Sequence, residues 1–131
     1  MDYQLKPLDE QVVVITGASS GIGLCTAAMA ADKGCKLVLA ARSEGVLEAL
    51  CNEIRLAGGE AVYCVADVGK RDDVEEIARV AIERYGRMDT WVNDAGVAIY
   101  GRLWDVADED SRRLFDTNYW GVVYGSLVAL P

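Results

Sequence analysis

The sequence contains no histidine, and this absence excludes several kinds of catalytic site. A Ser-His-Asp triad cannot form without the imidazole that takes the proton from the serine. No zinc site is indicated either, because no CxxC pair occurs among the four cysteines, Cys25, Cys35, Cys51 and Cys64. Since each cysteine has apolar neighbours, we predict four buried, reduced thiols and no bound metal.

Basic residues and long apolar runs are also scarce. The 131 residues include 13 Lys and Arg against 21 Asp and Glu, which gives a formal net charge of −8 at pH 7. This charge would repel a polyanion such as nucleic acid. Residues 1–11 lack the apolar core of a signal peptide, and the apolar run after Asn118 is too short to span a membrane. We therefore predict a cytoplasmic protein without nucleic-acid or membrane partners.

Short apolar runs alternate with longer helical patterns along the whole chain. Strands are predicted at 12–16, 36–41, 61–67 and 88–94, and helices at 21–33, 44–57, 71–86 and 107–130. This alternation predicts an α/β fold of the Rossmann type, in which a doubly wound parallel sheet of four strands has helices on both faces. No linker or repeat divides the chain, so we predict a single domain over 1–131.

Apolar residues recur at helical spacing in the second and third predicted helices, which indicates one buried side for each. In the second helix these residues are Val46, Leu47, Leu50, Ile54 and Ala57. In the third helix they are Val74, Ile77, Ala78, Ala81 and Ile82.

A glycine-rich segment, TGASSGIG at 16–23, joins the first strand to the first helix. In this setting Gly17 allows a tight turn, Gly21 lets a pyrophosphate approach the backbone, and Gly23 lets the helix pack close to the sheet. Free N–H groups at the start of the helix would face the phosphates. No Lys-Ser/Thr pair follows the last glycine, so the segment is not a mononucleotide P-loop.

With this TGxxxGxG spacing, the sequence resembles the short-chain dehydrogenase/reductase family over nearly the whole chain. The resemblance implies NAD(P)-dependent hydride transfer to or from a small carbonyl or alcohol substrate. It also implies that the motif binds the cofactor through Gly17, Ser19, Ser20, Gly21, Ile22 and Gly23. A nucleotide-sugar epimerase of the same superfamily is a weaker alternative, because that branch typically spaces its glycines as GxxGxxG.

The end of the second strand indicates which nicotinamide cofactor binds. Dinucleotide sites usually carry an acidic residue here that holds the ribose 2′-OH, but Ala41 occupies its place and Arg42 follows. A guanidinium can pair with a 2′-phosphate, and Ser19, Ser20 and Ser43 could add hydroxyl donors. We therefore predict a preference for NADP(H), with NAD(H) as the alternative. Arg42 could instead be a solvated loop cation.

The resemblance assigns roles to residues at the ends of the third and fourth strands. Asp67 would accept a hydrogen bond from the adenine amino group and Val68 would contact the ring, although Asp67 could instead cap the turn before the third helix. The segment VNDAGV resembles the family's Asn-Asn-Ala-Gly segment, and its residues Asp94, Ala95 and Gly96 would lie beside the ribose and nicotinamide. Asn93 is expected to join neighbouring strands.

Asn118 lies 25 residues after Asn93, the interval that the family shows before its catalytic asparagine. In the family, this asparagine binds a water of the proton relay. We expect Asn118 to share the sheet-facing side of the last helix with Leu114, Val122 and Gly125. Apolar side chains elsewhere on this helix predict a homodimer or homotetramer, since related proteins pair it across a two-fold axis. These side chains are Phe115, Tyr119, Val123, Leu127 and Leu130.

The family's catalytic serine and its Tyr-x-x-x-Lys pair have no counterpart here, because no tyrosine has a lysine four residues later. We therefore interpret the chain as the cofactor-binding half of a longer oxidoreductase and expect no turnover from these 131 residues alone. The alternative is a catalytically inactive dinucleotide-binding module that acts as a sensor or scaffold.

Overall fold

The computed structural model describes residues 4–130, in which four parallel strands form one sheet. The strands are paired in the order β3-β2-β1-β4. They are β1 (Val12–Thr16), β2 (Lys36–Ala41), β3 (Glu60–Val65) and β4 (Thr90–Asn93). The β-branched run of β1 lies at the centre, where Val14 is paired with Val38 on one side and Trp91 on the other. The predicted parallel sheet is confirmed.

Helices connect the strands and cover both faces of the sheet. They are α1 (Gly21–Asp32), α2 (Glu44–Leu56), α3 (Arg71–Tyr85), α4 (Asp108–Phe115) and α5 (Gly121–Ala129). Short 3₁₀ turns occur at Leu8–Glu10 and Leu103–Asp105. Helix α3 ends at Gly86, whose φ of 75° is the left-handed conformation that favours glycine. Within residues 4–130, no helix is long and apolar enough to cross a membrane.

Successive residues of the central strands point to opposite faces and fill two separate cores. On one face, Ile15 and Leu39 pack in a cluster with Leu47 of α2. On the other face, Val14 packs in a cluster with Ile77 of α3. This double burial explains why β1 is apolar at nearly every position, and it confirms the predicted Rossmann-type architecture.

The order of the strands reverses at β1. The chain adds β2 and β3 on one side of β1 and then returns to add β4 on the other side. In open parallel sheets, a crevice forms at such a switch point, outside the carboxyl ends of the strands. The loops that follow β1, β2, β3 and β4 therefore meet at one edge of the sheet.

Strands β3 and β4 both end earlier than the predictions of 61–67 and 88–94. β3 ends at Val65 and β4 at Asn93. After each strand, a side-chain oxygen accepts a hydrogen bond from a backbone N–H that would otherwise continue the pairing of the strand. The Asp67 N–H donates to Oδ2 of Asp73 (2.9 Å), and the Asp94 N–H donates to Oγ1 of Thr16 (3.2 Å). The backbone turns out of the sheet at these two aspartates.

Several residues that were predicted to be buried are exposed. Val46 is 43% exposed and Ile82 is 48% exposed, and Ala57 is exposed as well. In α2 the sheet covers only the side that carries its buried residues. Residues at the edge of the apolar side of α2, and likewise of α3, face solvent. Cys25 is also exposed, whereas the other three cysteines are buried as predicted. Burial raises the pKa of the Cys51 thiol above its ordinary value.

The predicted last helix at 107–130 contains a π-helical turn at Asp116–Trp120, between α4 and α5. A π turn adds one residue to the helical repeat and so changes which side chains face the sheet. The buried positions are Thr117, Gly121 and Gly125, whereas Val122 is 40% exposed. In the predicted sheet-facing set, Gly125 is buried and Leu114 is half-buried, but the placement of Asn118 and Val122 is wrong because both are exposed.

Candidate functional site

A cleft of about 360 Å³ opens at the carboxyl ends of the strands. Twelve residues predicted to bind the cofactor line it: Gly17, Ser19, Ser20, Gly21, Ile22, Arg42, Ser43, Asp67, Val68, Asp94, Ala95 and Gly96. The lining also includes four residues without a predicted binding role: Ala41, Ala66, Val97 and Thr117. Gly23 and Asn118 are not part of the lining.

The loop between β1 and α1 forms one end of the cleft. Gly17 has φ of 70°, and a Cβ at this position would lie 2.7 Å from the Ala95 nitrogen, so the loop can approach β4 only with glycine here. Gly21 also has positive φ (54°), and no atom lies within 4 Å of the position of its missing Cβ. The Ser20 side chain makes no capping hydrogen bond to α1. The first N–H groups of the helix are therefore not capped by this side chain.

Gly23 lies behind the cleft, in the contact between α1 and the sheet. A Cβ on Gly23 would collide with the carbonyl oxygen of Gly17 and lie 2.7 Å from Oδ2 of Asp94. The Asp94 carboxylate thus sits against the first turn of α1, where the helix dipole favours a negative charge. The structure gives Gly23 a packing role, whereas Gly17 and Gly21 face the cleft.

Arg42 and Ser43 follow β2 and line the adjacent wall. Arg42 is exposed and makes no ion pair or side-chain hydrogen bond with any residue of the described range 4–130. Ala41 stands in the place of the usual acidic residue and is only 9% exposed. A guanidinium without a nearby carboxylate is chemically suited to an anionic ligand.

Asp67 lies at the end of β3 and uses both oxygens of its carboxylate. Oδ1 accepts the N–H of Gly69 (3.0 Å), and Oδ2 forms an ion pair with Nη2 of Arg113 on α4 (2.9 Å). Asp67 is not the N-cap of α3, because the residue at that position is Lys70. The alternative prediction, that Asp67 caps the turn before the third helix, is confirmed by the bond from the Gly69 N–H.

Thr16 joins the ends of β1 and β4, a role that sequence reasoning missed. Its hydroxyl donates a hydrogen bond to the Val92 carbonyl and accepts hydrogen bonds from the N–H groups of Asp94 and Ala95. The donor–acceptor distance is 3.2 Å in all three bonds. The side chain is 2% exposed, so these bonds are made away from water. A polar residue that ends an apolar strand, directly before the first glycine of the motif, is the signal that could have identified it.

Asn93 does not join neighbouring strands, contrary to the prediction. Its Oδ1 accepts the indole N–H of Trp91 (2.9 Å), and its Nδ2 donates to Oγ of Ser126 (3.4 Å). Asn93 therefore ties β4 to helix α5. The side-chain hydrogen bonds between the neighbouring strands β1 and β4 are made by Thr16 instead.

Asn118 lies in the π-helical turn and clamps the loop that follows β4. Its Oδ1 accepts the Val97 N–H (2.8 Å), and its Nδ2 donates to the Val97 carbonyl (2.7 Å). This pair of bonds fixes the orientation of the amide and holds residue 97 against the helix. One amide hydrogen and one lone pair of the Asn118 side chain remain for a further partner.

These residues make the cleft suited to an extended ligand with phosphate groups. Backbone N–H groups of the glycine-rich loop and a free guanidinium can bind anions. The Asp67 carboxylate can accept hydrogen bonds from an amino group. Within residues 4–130, no group of three or more His, Cys, Asp or Glu side chains could hold a metal ion.

Comparisons with known proteins agree with this geometry. The family model described as short chain dehydrogenase matches residues 11–131. An uncharacterized oxidoreductase of Bacillus subtilis (YxnA) is 55% identical over 97% of this chain, which covers 36% of that protein. The chain therefore spans well under two thirds of the length of such relatives.

Solved structures superpose closely on the chain. A short-chain dehydrogenase/reductase from Burkholderia phymatum in complex with NAD has a TM-score of 0.91 and 37% identity, over 95% of this chain and 44% of that one. An alcohol dehydrogenase from Thermococcus sibiricus complexed with 5-hydroxy-NADP has a TM-score of 0.88 and 36% identity, over 92% and 52%. Together with the glycine-rich loop, the parallel sheet and the cleft at its switch point, these matches establish that the chain belongs to the short-chain dehydrogenase family.

Proposed function

We propose that the chain is the cofactor-binding part of an NADP(H)-dependent oxidoreductase that transfers hydride between the nicotinamide and a carbonyl or alcohol substrate. The observation that carries the proposal is the cleft at the switch point, in which Arg42, without an ion-pair partner among residues 4–130, lies beside a glycine-rich loop. Related structures bind NAD and an NADP analogue, so a nicotinamide dinucleotide is the expected ligand. Arg42 favours the phosphorylated form.

The cleft offers suitable residues for each part of the dinucleotide. The backbone at Gly17 and Gly21 and the start of α1 would hold the pyrophosphate, because no side chain blocks Gly21. Arg42, with hydroxyl groups of Ser19, Ser20 and Ser43, would hold the 2′-phosphate. Asp67 and Val68 would contact the adenine. The segment from Asp94 to Gly96 would lie beside the ribose and nicotinamide, with Ile22 at the loop.

Asn118 would act in the proton relay, through the hydrogen-bonding capacity that the Val97 clamp leaves free. When bound, the nicotinamide supplies or accepts the hydride. The tyrosine and lysine that the reaction requires are not among these residues, so turnover is proposed for a protein in which further residues supply them. A protein that binds the dinucleotide without turnover would instead be an inactive sensor or scaffold.

The cofactor preference is tested by titrating the purified full-length protein with NADPH and with NADH. We expect Arg42→Ala to weaken NADPH binding by roughly 1–3 kcal/mol, since a charge-assisted contact to the 2′-phosphate is lost. NADH has no 2′-phosphate, so its affinity should hardly change. The affinities are measured by calorimetry or by the fluorescence of the reduced nicotinamide.

Lys33→Ala is the matched control, because it also removes one positive charge but lies just after the far end of α1. It should leave both affinities unchanged apart from a small long-range effect that salt screens. An equal loss for NADPH and NADH in Arg42→Ala would contradict the role of Arg42 at the 2′-phosphate. The same would follow if Lys33→Ala behaved like Arg42→Ala.

We also propose that the protein forms a homodimer or homotetramer through its last helix. Large apolar side chains remain exposed there, among them Phe115 (62%), Tyr119 (54%) and Leu127 (52%). A two-fold contact between copies would remove this surface from water. Val123, which was predicted as part of the same surface, is half-buried already.

A further inference from the structure

An arginine outside the cleft lining touches a residue inside it. Arg113 lies in the last turn of α4, and its Nη2 is 2.9 Å from Oδ2 of Asp67. The Asp67 side chain is only 14% exposed, whereas that of Arg113 is 46% exposed. Asp67 lines the cleft, whereas its ion-pair partner Arg113 does not.

We propose that Arg113 is a positioning residue for the adenine base, which holds the Asp67 carboxylate in the orientation that accepts the exocyclic amino group. The inference rests on the proposed dinucleotide binding. Gly69 and Arg113 each occupy one oxygen of the carboxylate, so its rotation is fixed from two directions. Each oxygen keeps a lone pair for the base. Without Arg113, the Asp67 carboxylate would rotate more freely. Binding of the base would then have to fix its orientation, which weakens the affinity.

The packing around this ion pair supports the same role. A Cβ on Gly69 would lie 3.3 Å from Cβ of Asp116, and a Cβ on Gly121 would lie 2.7 Å from Cγ2 of Val68. The turn after β3 is thus pressed against the last helix at two points besides the ion pair. The helix supports this turn, and its Arg113 adds a contact to the carboxylate.

The local charge also explains why an arginine is useful here. The Asp73 carboxylate accepts the Asp67 N–H, and the Cβ of Asp116 lies beside Gly69, so three acidic residues lie at one turn. The Arg113 guanidinium offsets part of this charge without entering the cleft itself.

The test compares a dinucleotide with its hypoxanthine analogue, in which an oxo group replaces the exocyclic amino group of adenine. Affinities of the full-length protein are measured for NADPH, or NADH if it binds more tightly, and for the matching analogue. The wild-type protein should prefer the adenine form. Arg113→Gln should weaken binding of the adenine form about three- to tenfold and leave the analogue nearly unchanged.

Arg112→Gln is the matched control, since Arg112 is the preceding residue of α4 and makes no ion pair within residues 4–130. It should preserve the preference for adenine. An unchanged preference in Arg113→Gln, or an equal loss for both ligands, would overturn the inference while leaving dinucleotide binding in place. Failure of the wild-type protein to bind either dinucleotide would overturn the proposed function and this inference with it.

Discussion

At the scale of single residues, the cleft depends on a buried threonine whose hydroxyl uses its full hydrogen-bonding capacity. The Thr16 hydroxyl makes three hydrogen bonds at one point, where β1 meets the end of β4. One of its partners, Ala95, also contacts the turn at Gly17. The geometry of two walls of the cleft therefore depends on one oxygen atom.

Thr16→Val keeps the shape of the side chain but removes the hydroxyl. We expect the free energy of unfolding to fall by about 1–3 kcal/mol, because three partly buried backbone groups lose their hydrogen-bond partner. Urea denaturation measures this change. Thr90→Val is the control: Thr90 makes a single side-chain bond to Gln11 at the opposite end of the sheet and is exposed. Equal losses in the two variants would contradict the special role of Thr16.

Sequence reasoning identified the residues of the cleft better than the contacts among them. Twelve of the predicted binding residues line one cavity because the carboxyl ends of parallel strands necessarily meet at one edge. The partners of Asn93 and Asp67 were not predictable in this way. Ser126 and Arg113 reach them from the last helix, and the distances between segments so far apart in sequence depend on tertiary packing.

At the scale of elements, helix α5 approaches the sheet through glycines. A Cβ on Gly125 would lie 2.6 Å from Nε1 of Trp91 and would also collide with Oδ1 of Asn93. These two atoms are joined by a hydrogen bond, so neither can move away without breaking it. The helix can lie this close to β4 only because the position is glycine.

Gly125→Ala should therefore destabilise the fold by about 1–3 kcal/mol through overpacking. Gly45→Ala in α2 is the control, because no atom lies within 4 Å of its missing Cβ. This control should stabilise the fold by about 0.4–1 kcal/mol, since alanine reduces the entropy of the unfolded chain. Thermal or urea denaturation gives both values. Stabilisation by Gly125→Ala would show that α5 is not held at this distance.

The π-helical turn explains where prediction of the last helix failed. A regular repeat of 3.6 residues places Leu114, Asn118 and Val122 on one side, and the sequence offers no local signal for an additional residue in the turn. The turn instead buries Thr117 and directs Asn118 to the Val97 backbone. The existence of the helix followed from its apolar spacing, but the side facing the sheet depended on this irregularity.

At the scale of the whole molecule, a net charge of −8 is combined with exposed large apolar side chains, several of which lie on the last helix. Like charges oppose association, so the contact between copies must rely on apolar burial. We expect the double substitution Phe115→Lys and Leu127→Lys to convert an oligomer into a monomer. Size-exclusion chromatography with light scattering measures the mass in solution.

A control for this substitution is Leu56→Lys with Ile82→Lys, which adds the same charge at apolar residues that are 89% and 48% exposed on α2 and α3. The control protein should keep the mass of the wild type. If both double variants became monomers, added charge rather than the last helix would explain the change. A monomeric wild-type protein would contradict the proposed oligomer directly.

The clamp between Asn118 and Val97 has a consequence for the evolution of such proteins. A lineage that lost hydride transfer would lose the selection on its proton relay, yet replacing Asn118 would still release the loop after β4. Selection for a stable fold alone would then preserve the asparagine. The presence of this asparagine in a relative is therefore no evidence that the relative is an active enzyme.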